Sequence, residues 1–107
     1  MYSVRKSNIE LTRGDTFFGQ ITLMNGEEPF QPSAGDVIRF AMKKDYTDAE
    51  TLILKEIPYD TLMLRLDPAD TKPFPFGKYV YDIEITFADG VVDTFIKGVF
   101  TLTEEVE

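Results

Sequence analysis

The stretch that decides the fold runs Tyr79-Val80-Tyr81-Asp82-Ile83-Glu84-Ile85-Thr86-Phe87-Ala88-Asp89-Gly90. Aromatic or branched apolar residues occupy every second position up to Phe87, and mostly polar residues lie between them. A period of two is typical of a strand that buries one face. Because glycine adopts a positive φ without steric cost, the Asp89-Gly90 pair predicts a turn, and the alternation that resumes behind it completes a β-hairpin.

Shorter alternating segments predict the other strands. Turn residues such as Asn25-Gly26 separate these segments from one another. The residues expected on their buried faces are Ile9 and Leu11; Phe17, Gly19, Ile21 and Leu23; Ile38, Phe40 and Met42; Leu62, Leu64 and Leu66; and, in the second half of the hairpin, Val92, Ile96, Phe100 and Leu102.

Two segments predict helical turns. Thr47 and Glu50 have the spacing of a capping box, so we expect a loop with one helical turn around 46–50. A strand from about 51 to 56 follows it, because Pro58 prevents a helix from continuing there. Asp67-Pro68 combines an N-cap residue with proline in the first turn, which predicts a short helical turn near 67–72.

Six or seven short strands in a chain of 107 residues predict a single all-β domain spanning 1–107. We expect its ends, 1–7 and 104–107, to be flexible. An antiparallel β-sandwich of about seven strands and a small closed barrel both fit the alternation. Gly77, Tyr79 and Tyr81 favour the sandwich, because a tyrosine two residues before a core position, after a short crossover, resembles the tyrosine corner of immunoglobulin-like folds.

Composition excludes several kinds of chemistry. The chain has no His and no Cys, which removes imidazole bases, the usual nucleophile pairs and the usual zinc ligands. We therefore expect no catalytic residues, no cofactor and no metal, and a protein that is not an enzyme. A net charge of -8 argues against nucleic-acid binding. No apolar run has signal-peptide or membrane-spanning length, so we expect no membrane association and synthesis in the cytoplasm.

Short polar motifs are better explained as structural features. Arg13-Gly14-Asp15 is the tripeptide that integrins bind, but three residues match by chance too often, and a turn between strands is the favoured interpretation. Asp36 follows Gly35 at the start of a strand, where its carboxylate can bond backbone N–H groups. Clustered carboxylates, such as Asp67 with Asp70, are better explained as solvated surface charge than as a calcium site.

Aromatic residues are the candidate partner contacts. Phe74, Phe76, Tyr46 and Tyr59 fall in predicted loops, where they either pack onto the ends of the core or form a patch for a protein or a sugar. A further pair lies on the otherwise polar faces of its strands, namely Phe18 and Phe95. We do not expect a small-molecule ligand.

Several segments in order resemble small structural proteins of tailed bacteriophages and prophages, and the N-terminal immunoglobulin-like domain of phage baseplate upper proteins. They are Ile9 to Thr16, Gly35 to Phe40, Asp67 to Thr71, Gly77 to Ile83 and Gly98 to Val106. The resemblance implies a non-enzymatic tail, baseplate or neck module whose partners are other virion proteins and further copies of itself. It also implies residence in the host cytoplasm during assembly and then in the virion. A carbohydrate- or surface-binding module is the alternative.

Overall fold

Ten strands and one turn of helix make up the described part of the chain. The computed structural model describes the backbone of residues 2–5 and residues 7–104 with their side chains. The strands are β1 Tyr2–Arg5, β2 Asn8–Thr12, β3 Phe17–Gln20, β4 Leu23–Asn25, β5 Glu28–Phe30, β6 Val37–Lys43, β7 Ile53–Ile57, β8 Met63–Leu66, β9 Gly77–Thr86 and β10 Val92–Thr103, with helix α1 Pro68–Thr71 between β8 and β9. The all-β prediction is confirmed, although the described residues form ten strands rather than about seven.

One six-stranded sheet dominates the molecule, in the order β1-β2-β10-β9-β6-β7. Two further pairs complete the fold, β3 with β8 and β4 with β5. The pairing is not purely antiparallel as expected, because β2 runs parallel to β10. After β2 the chain turns at residues 13–16 and continues into β3, which pairs with β8. Strand β10 later pairs with β2 and runs in the same direction. Within the predicted flexible ends, residues 2–5 form the edge strand β1, and residues 1, 6 and 105–107 lie outside the described residues.

The predicted hairpin of β9 and β10 is confirmed. Gly90 has a φ of 93°, and the Phe87 amide donates to the Val91 carbonyl oxygen at 2.8 Å. One expected core position was wrong: Val92 is 56% exposed. The register shifts between Thr94 and Ile96, so the strand carries an extra residue there and the positions before the bulge are turned to the opposite face.

The two helical-turn predictions have different outcomes. Residues 46–50 form no helix; the Asp48 amide donates to the Asp45 carbonyl oxygen at 3.1 Å, which closes a single tight turn. Strand β7 accordingly begins at Ile53 rather than at 51. The turn near 67–72 is confirmed as α1, where an Asp70 carboxylate oxygen accepts the Asp67 amide at 2.7 Å. Among the described residues, no helix is long and apolar enough to cross a membrane.

The buried faces of the six-stranded sheet and of the β3–β8 pair meet in one hydrophobic core. Aromatic rings fill its centre, since Phe40 stacks on Tyr81 at 5.4 Å and meets Phe100 edge-on at 6.0 Å between ring centroids. The predicted inward residues of β2, β6, β8 and β9 are buried, as the alternation requires. The predicted strand after residue 16 is interrupted, so that Phe17 lies on β3 and Leu23 on β4.

Candidate functional site

Tyr79 anchors the segment that leads from α1 into β9. Its hydroxyl donates a hydrogen bond to the Pro75 carbonyl oxygen at 2.7 Å, four residues upstream. Gly77 between them has a φ of 143°, a conformation that side chains disfavour. The Lys44 ammonium lies 4.9 Å from the centre of the Tyr79 ring. Burial raises the pKa of the Tyr79 phenol, and the nearby Arg13 charge lowers it to a lesser degree. The hydrogen bond expected from this corner tyrosine is therefore present.

Tyr81 ties β9 to the beginning of β2. Its hydroxyl donates to the Ser7 carbonyl oxygen at 2.5 Å. Gly98 on β10 makes this approach possible, because a Cβ built there would overlap the Ser7 carbonyl and press on the Tyr81 ring. Burial raises the pKa of the Tyr81 phenol to about 12, and the nearby Tyr46 phenol adds to the increase. Tyr81, one of the three residues expected to form the corner, is thus a buried residue whose hydroxyl bonds to Ser7.

Three of the predicted partner contacts are exposed aromatic rings, and each has a cationic side chain nearby. Phe18, 50% exposed, lies on the outward face of β3, and the Arg65 guanidinium on β8 lies 5.8 Å from its ring centre. Phe76 has the Arg13 guanidinium at 4.7 Å, and Tyr46 has the Lys97 ammonium at 5.7 Å. At an exposed site each such contact contributes about 0.5–1 kcal/mol in favour of the observed ring position.

The other three predicted contacts are less available. Phe95 and Phe74 are half-buried and pack against the core, Phe95 on Phe30 at 5.3 Å between ring centroids and Phe74 against Tyr79 at 6.4 Å. Tyr59 is 39% exposed in the turn between β7 and β8. The structure does not bring the six residues into one patch, because Phe18 and Tyr46 lie on the outward faces of different sheets.

A groove opens between the six-stranded sheet and the segment formed by β3 and β4. Its volume is about 570 Å³. Mostly apolar side chains line it, including Ile9, Ile83 and Ile96 from the sheet and Met24 from β4. Two polar residues, Gln20 and Thr22, also line the groove. The groove is therefore a largely apolar depression beside the core.

The Arg13-Gly14-Asp15 turn is fixed to the segment that precedes β9. An Arg13 guanidinium nitrogen donates to the Phe74 carbonyl oxygen at 3.2 Å. The Gly14 amide donates at 3.0 Å to the hydroxyl of Thr71, a buried residue. Arg13 is half-buried, and its guanidinium lies over Phe76. The tripeptide serves as a structural turn, which agrees with the favoured interpretation of the motif.

Carboxylates bond backbone amides in several turns. Asp36 accepts the Ser33 amide at 2.9 Å through one oxygen and the Ala88 amide at 3.1 Å through the other, which joins two turns at one end of the molecule. Asp70 accepts the Asp67 amide and also forms an ion pair with Lys55 at 3.0 Å. Within the described residues, no three acidic side chains converge in a group that could hold a metal ion.

Sequence reasoning missed the cations beside the aromatic rings and the exposed Leu54 on β7. Arg65 lies opposite Phe18 because β3 and β8 pair in one register, and nothing local in the sequence specifies that pairing. Leu54 is 59% exposed although it lies in an apolar run. Its outward position follows from the alternation of β7, once Ile53 and Ile57 are placed in the core.

The fold and these surfaces define a class: a small all-β protein that holds aromatic side chains at its surface beside cationic partners. Comparison with known proteins adds no narrower class. The sequence matches no protein-family model, and no curated protein is significantly similar to it.

Proposed function

We propose that this protein is a non-enzymatic structural module of a tailed bacteriophage or prophage virion, acting in the tail, baseplate or neck through protein–protein assembly. Its partners are other virion proteins and further copies of itself. The observation that carries the proposal is the set of exposed aromatic rings held beside cations, namely Phe18, Tyr46 and Phe76. The resemblance of segments across the chain to phage structural proteins supplies the virion context.

Paired aromatic and cationic side chains suit a protein interface. Tyrosine, phenylalanine and arginine are enriched at interfaces, and residues of this kind dominate binding energy where they are desolvated. Because the cation restrains each ring before binding, less conformational entropy is lost when a partner covers it. The surface therefore favours an interface in which a few aromatic and cationic side chains contribute most of the binding energy.

We further propose that the fold is an immunoglobulin-like β-sandwich. Three features support this finer assignment. The β3–β8 pair contributes its buried face to the same core as the larger sheet. The helical turn α1 connects β8 to β9. Tyr79, near the beginning of β9, hydrogen-bonds back to Pro75, as the corner tyrosine of such folds does.

The decisive experiment is mass spectrometry of tail particles purified from a host that carries the gene with its neighbouring prophage genes. We expect the protein in stoichiometric amounts in wild-type particles. A triple variant, Phe18→Ala with Tyr46→Ala and Phe76→Ala, should lose incorporation while it remains folded. Met24→Ala is the matched control, because Met24 is a 45% exposed apolar residue outside this set. Particles that assemble without the protein would contradict the proposal.

A carbohydrate- or surface-binding module is the second candidate, and the exposed rings of Tyr46, Tyr59 and Phe76 favour it. A sugar stacks on an open ring face, and the cations beside Tyr46 and Phe76 compete for such a face. A glycan array separates the two candidates. Binding that Tyr59→Ala abolishes would favour this alternative, and no binding at millimolar protein would remove it.

A further inference from the structure

The groove beside β3 and β4 runs along an open strand edge. Residues from both faces of the segment 19–24 line it, since Ile21 packs against the core whereas Gln20, Thr22 and Met24 are exposed. A groove that meets both faces of a segment lies along its edge. Strands β8 and β5 occupy the other edges of β3 and β4, and among the described residues no further strand pairs with either.

The backbone groups of Gln20 point toward this open edge. The Ile21 amide donates to the Leu62 carbonyl oxygen at 2.7 Å, in the register that pairs Gln20 with Met63. Neighbouring residues of an antiparallel strand direct their backbone groups to opposite sides. The amide and carbonyl of Gln20 therefore point away from β8 and toward the groove.

Met24 has the same orientation on β4. It is paired with Pro29, which has no N–H to donate. The hairpin of β4 and β5 closes with the pair Asn25 and Glu28 around a two-residue turn, and a closing pair of this kind exchanges hydrogen bonds. The amide and carbonyl of the next residue, Met24, therefore point away from β5. Gln20 and Met24 present backbone donors and acceptors at two places along the groove, about 13 Å apart if the segment is extended.

The floor of the groove is apolar and uncharged. Ile9 on β2, Ile83 on β9 and Ile96 on β10 contribute to it. None of the described residues that line the groove is charged, although charged residues make up 28% of the chain. A charged side chain placed here would lose water without gaining an ionic partner, which is costly. The occupant that fits must therefore combine uncharged apolar side chains with backbone groups that match a strand edge.

We propose that this groove binds an extended, uncharged peptide segment of a partner protein. The backbone of the segment pairs with the open edge at Gln20 and Met24, and every second side chain lies over the floor. When a peptide adds a strand to an open edge, main-chain hydrogen bonds supply affinity and the alternate side chains supply specificity. The inference goes beyond the proposed function, because none of the exposed rings that carry that function lines the groove.

The layers of the fold disfavour pairing of this edge with the same edge of a second copy. Strands β9, β10 and β2 lie beneath the groove and therefore extend past the open edge of β3, since Ile83, Ile96 and Ile9 line it. Two copies that paired through β3 would each bring a six-stranded sheet into the same layer, and the two sheets would overlap. A single extended segment has no second layer and avoids this overlap.

Titration of the isotope-labelled full chain with a synthetic peptide, followed by NMR, tests the proposal. The probe is the capped peptide Lys-Val-Thr-Val-Thr-Val-Lys, in which valines alternate and the terminal lysines keep it soluble. It should shift the amide resonances of Gln20 and Met24 and bind with a dissociation constant of about 0.1–1 mM, because the contact is short. The control peptide has proline at both threonine positions. It keeps the charge and the valines but lacks the N–H groups that face the edge, so it should bind at least about tenfold more weakly.

Two variants of the protein test the edge and the floor separately. Gln20→Pro removes an N–H that β8 does not use and should weaken binding about tenfold, whereas Gln20→Ala removes the same side chain, keeps the N–H and should bind like wild type. Ile96→Ser removes apolar contact from the floor and should also weaken binding. Leu54→Ser is its matched control, because Leu54 is an exposed apolar residue on β7 that does not line the groove. Thermal unfolding checks that each variant is folded, and Ile96→Ser carries the test if Gln20→Pro does not fold.

The proposal is overturned if millimolar peptide leaves the Gln20 and Met24 amides unshifted, or if the proline peptide binds as well as the probe. Benzene that shifts the resonances of Ile83 and Ile96 while the peptide shifts none would assign the groove to small apolar molecules and also overturn it. Each of these results leaves the virion experiment untouched. Conversely, peptide binding by a protein that never enters particles would support this inference and contradict the proposed function.

Discussion

The hydroxyl of Tyr81 donates a hydrogen bond to the carbonyl oxygen of Ser7, which lies 74 residues earlier in the chain. Tyr81 is on the central strand β9, and Ser7 comes just before β2. The bond therefore joins the first part of the described chain to the strand that carries the most aromatic packing. Stacking of Tyr81 on Phe40 keeps the phenol in place for it.

Replacing Tyr81 by Phe should lower the free energy of unfolding by about 1–2 kcal/mol, because the ring packing is kept while the Ser7 carbonyl loses its donor. Urea unfolding of both proteins measures the difference. Tyr59→Phe, at an exposed tyrosine, is the matched control and should change stability by less than about 0.5 kcal/mol. Equal midpoints for Tyr81→Phe and wild type would show that the bond contributes nothing.

Gly98→Ala should destabilise the protein more strongly, by about 2–4 kcal/mol, because the new methyl group would overlap backbone atoms of Ser7 and the Tyr81 ring. Gly26→Ala is the comparison, since its Cβ would meet open space and only the positive φ opposes it. That change should cost about 1 kcal/mol. Thermal unfolding of the two variants ranks them, and a smaller effect at Gly98 would mean that β2 shifts freely away from β10.

Periodicity predicted the β9–β10 hairpin and the buried faces of most strands because those depend on local alternation. It misplaced Val92, since a bulge depends on how β10 pairs with β9 and changes the face of every residue before it. It also missed Arg65 beside Phe18, because that contact comes from pairing between distant strands. Tyr46 was expected to begin a helical turn, but its hydroxyl bonds to the carbonyls of β9 and β10 place it over the sheet instead.

Asp36→Ala should lower stability by about 1–2 kcal/mol, because one carboxylate bonds the amides of both Ser33 and Ala88. Asp36→Asn keeps one acceptor oxygen and should recover part of the loss. Asp93→Ala removes an exposed carboxylate near the same hairpin and serves as the control. Chemical denaturation of the three variants gives the order, and equal effects of Asp36→Ala and Asp93→Ala would contradict the bridging role.

Tyr79→Phe removes the hydrogen bond to the Pro75 carbonyl and should lower stability by about 1–2 kcal/mol. The Lys44 contact involves the ring and survives the change, so the loss reports the hydroxyl alone. Hydrogen exchange should also become faster in the amides of α1 and the start of β9, which this bond holds together. An unchanged unfolding midpoint would mean that the corner is held by packing rather than by the bond.

Alkaline pH should destabilise the wild-type protein through Tyr81. Burial raises the pKa of its phenol to about 12 in the folded state, whereas an unfolded chain has a tyrosine pKa of about 10. Below about pH 10 the phenol is neutral in both states, and its contribution is constant. Between about pH 10 and pH 12 the unfolded chain releases the proton while the folded one retains it, so the free energy of unfolding falls as pH rises, by up to about 2–3 kcal/mol.

Urea unfolding between about pH 9 and pH 12 measures this loss as the difference between wild type and Tyr81→Phe. At the lower end the wild type should be the more stable of the two, because it keeps the bond to Ser7. Its advantage should shrink and then reverse as pH rises, since the variant has no phenol to ionise at this position. Tyr59→Phe, at a tyrosine that is 39% exposed, is the control for the loss of a phenol away from the core. A difference between wild type and Tyr81→Phe that stays constant over this range would show that the Tyr81 phenol ionises equally in both states and is not held away from water by the core.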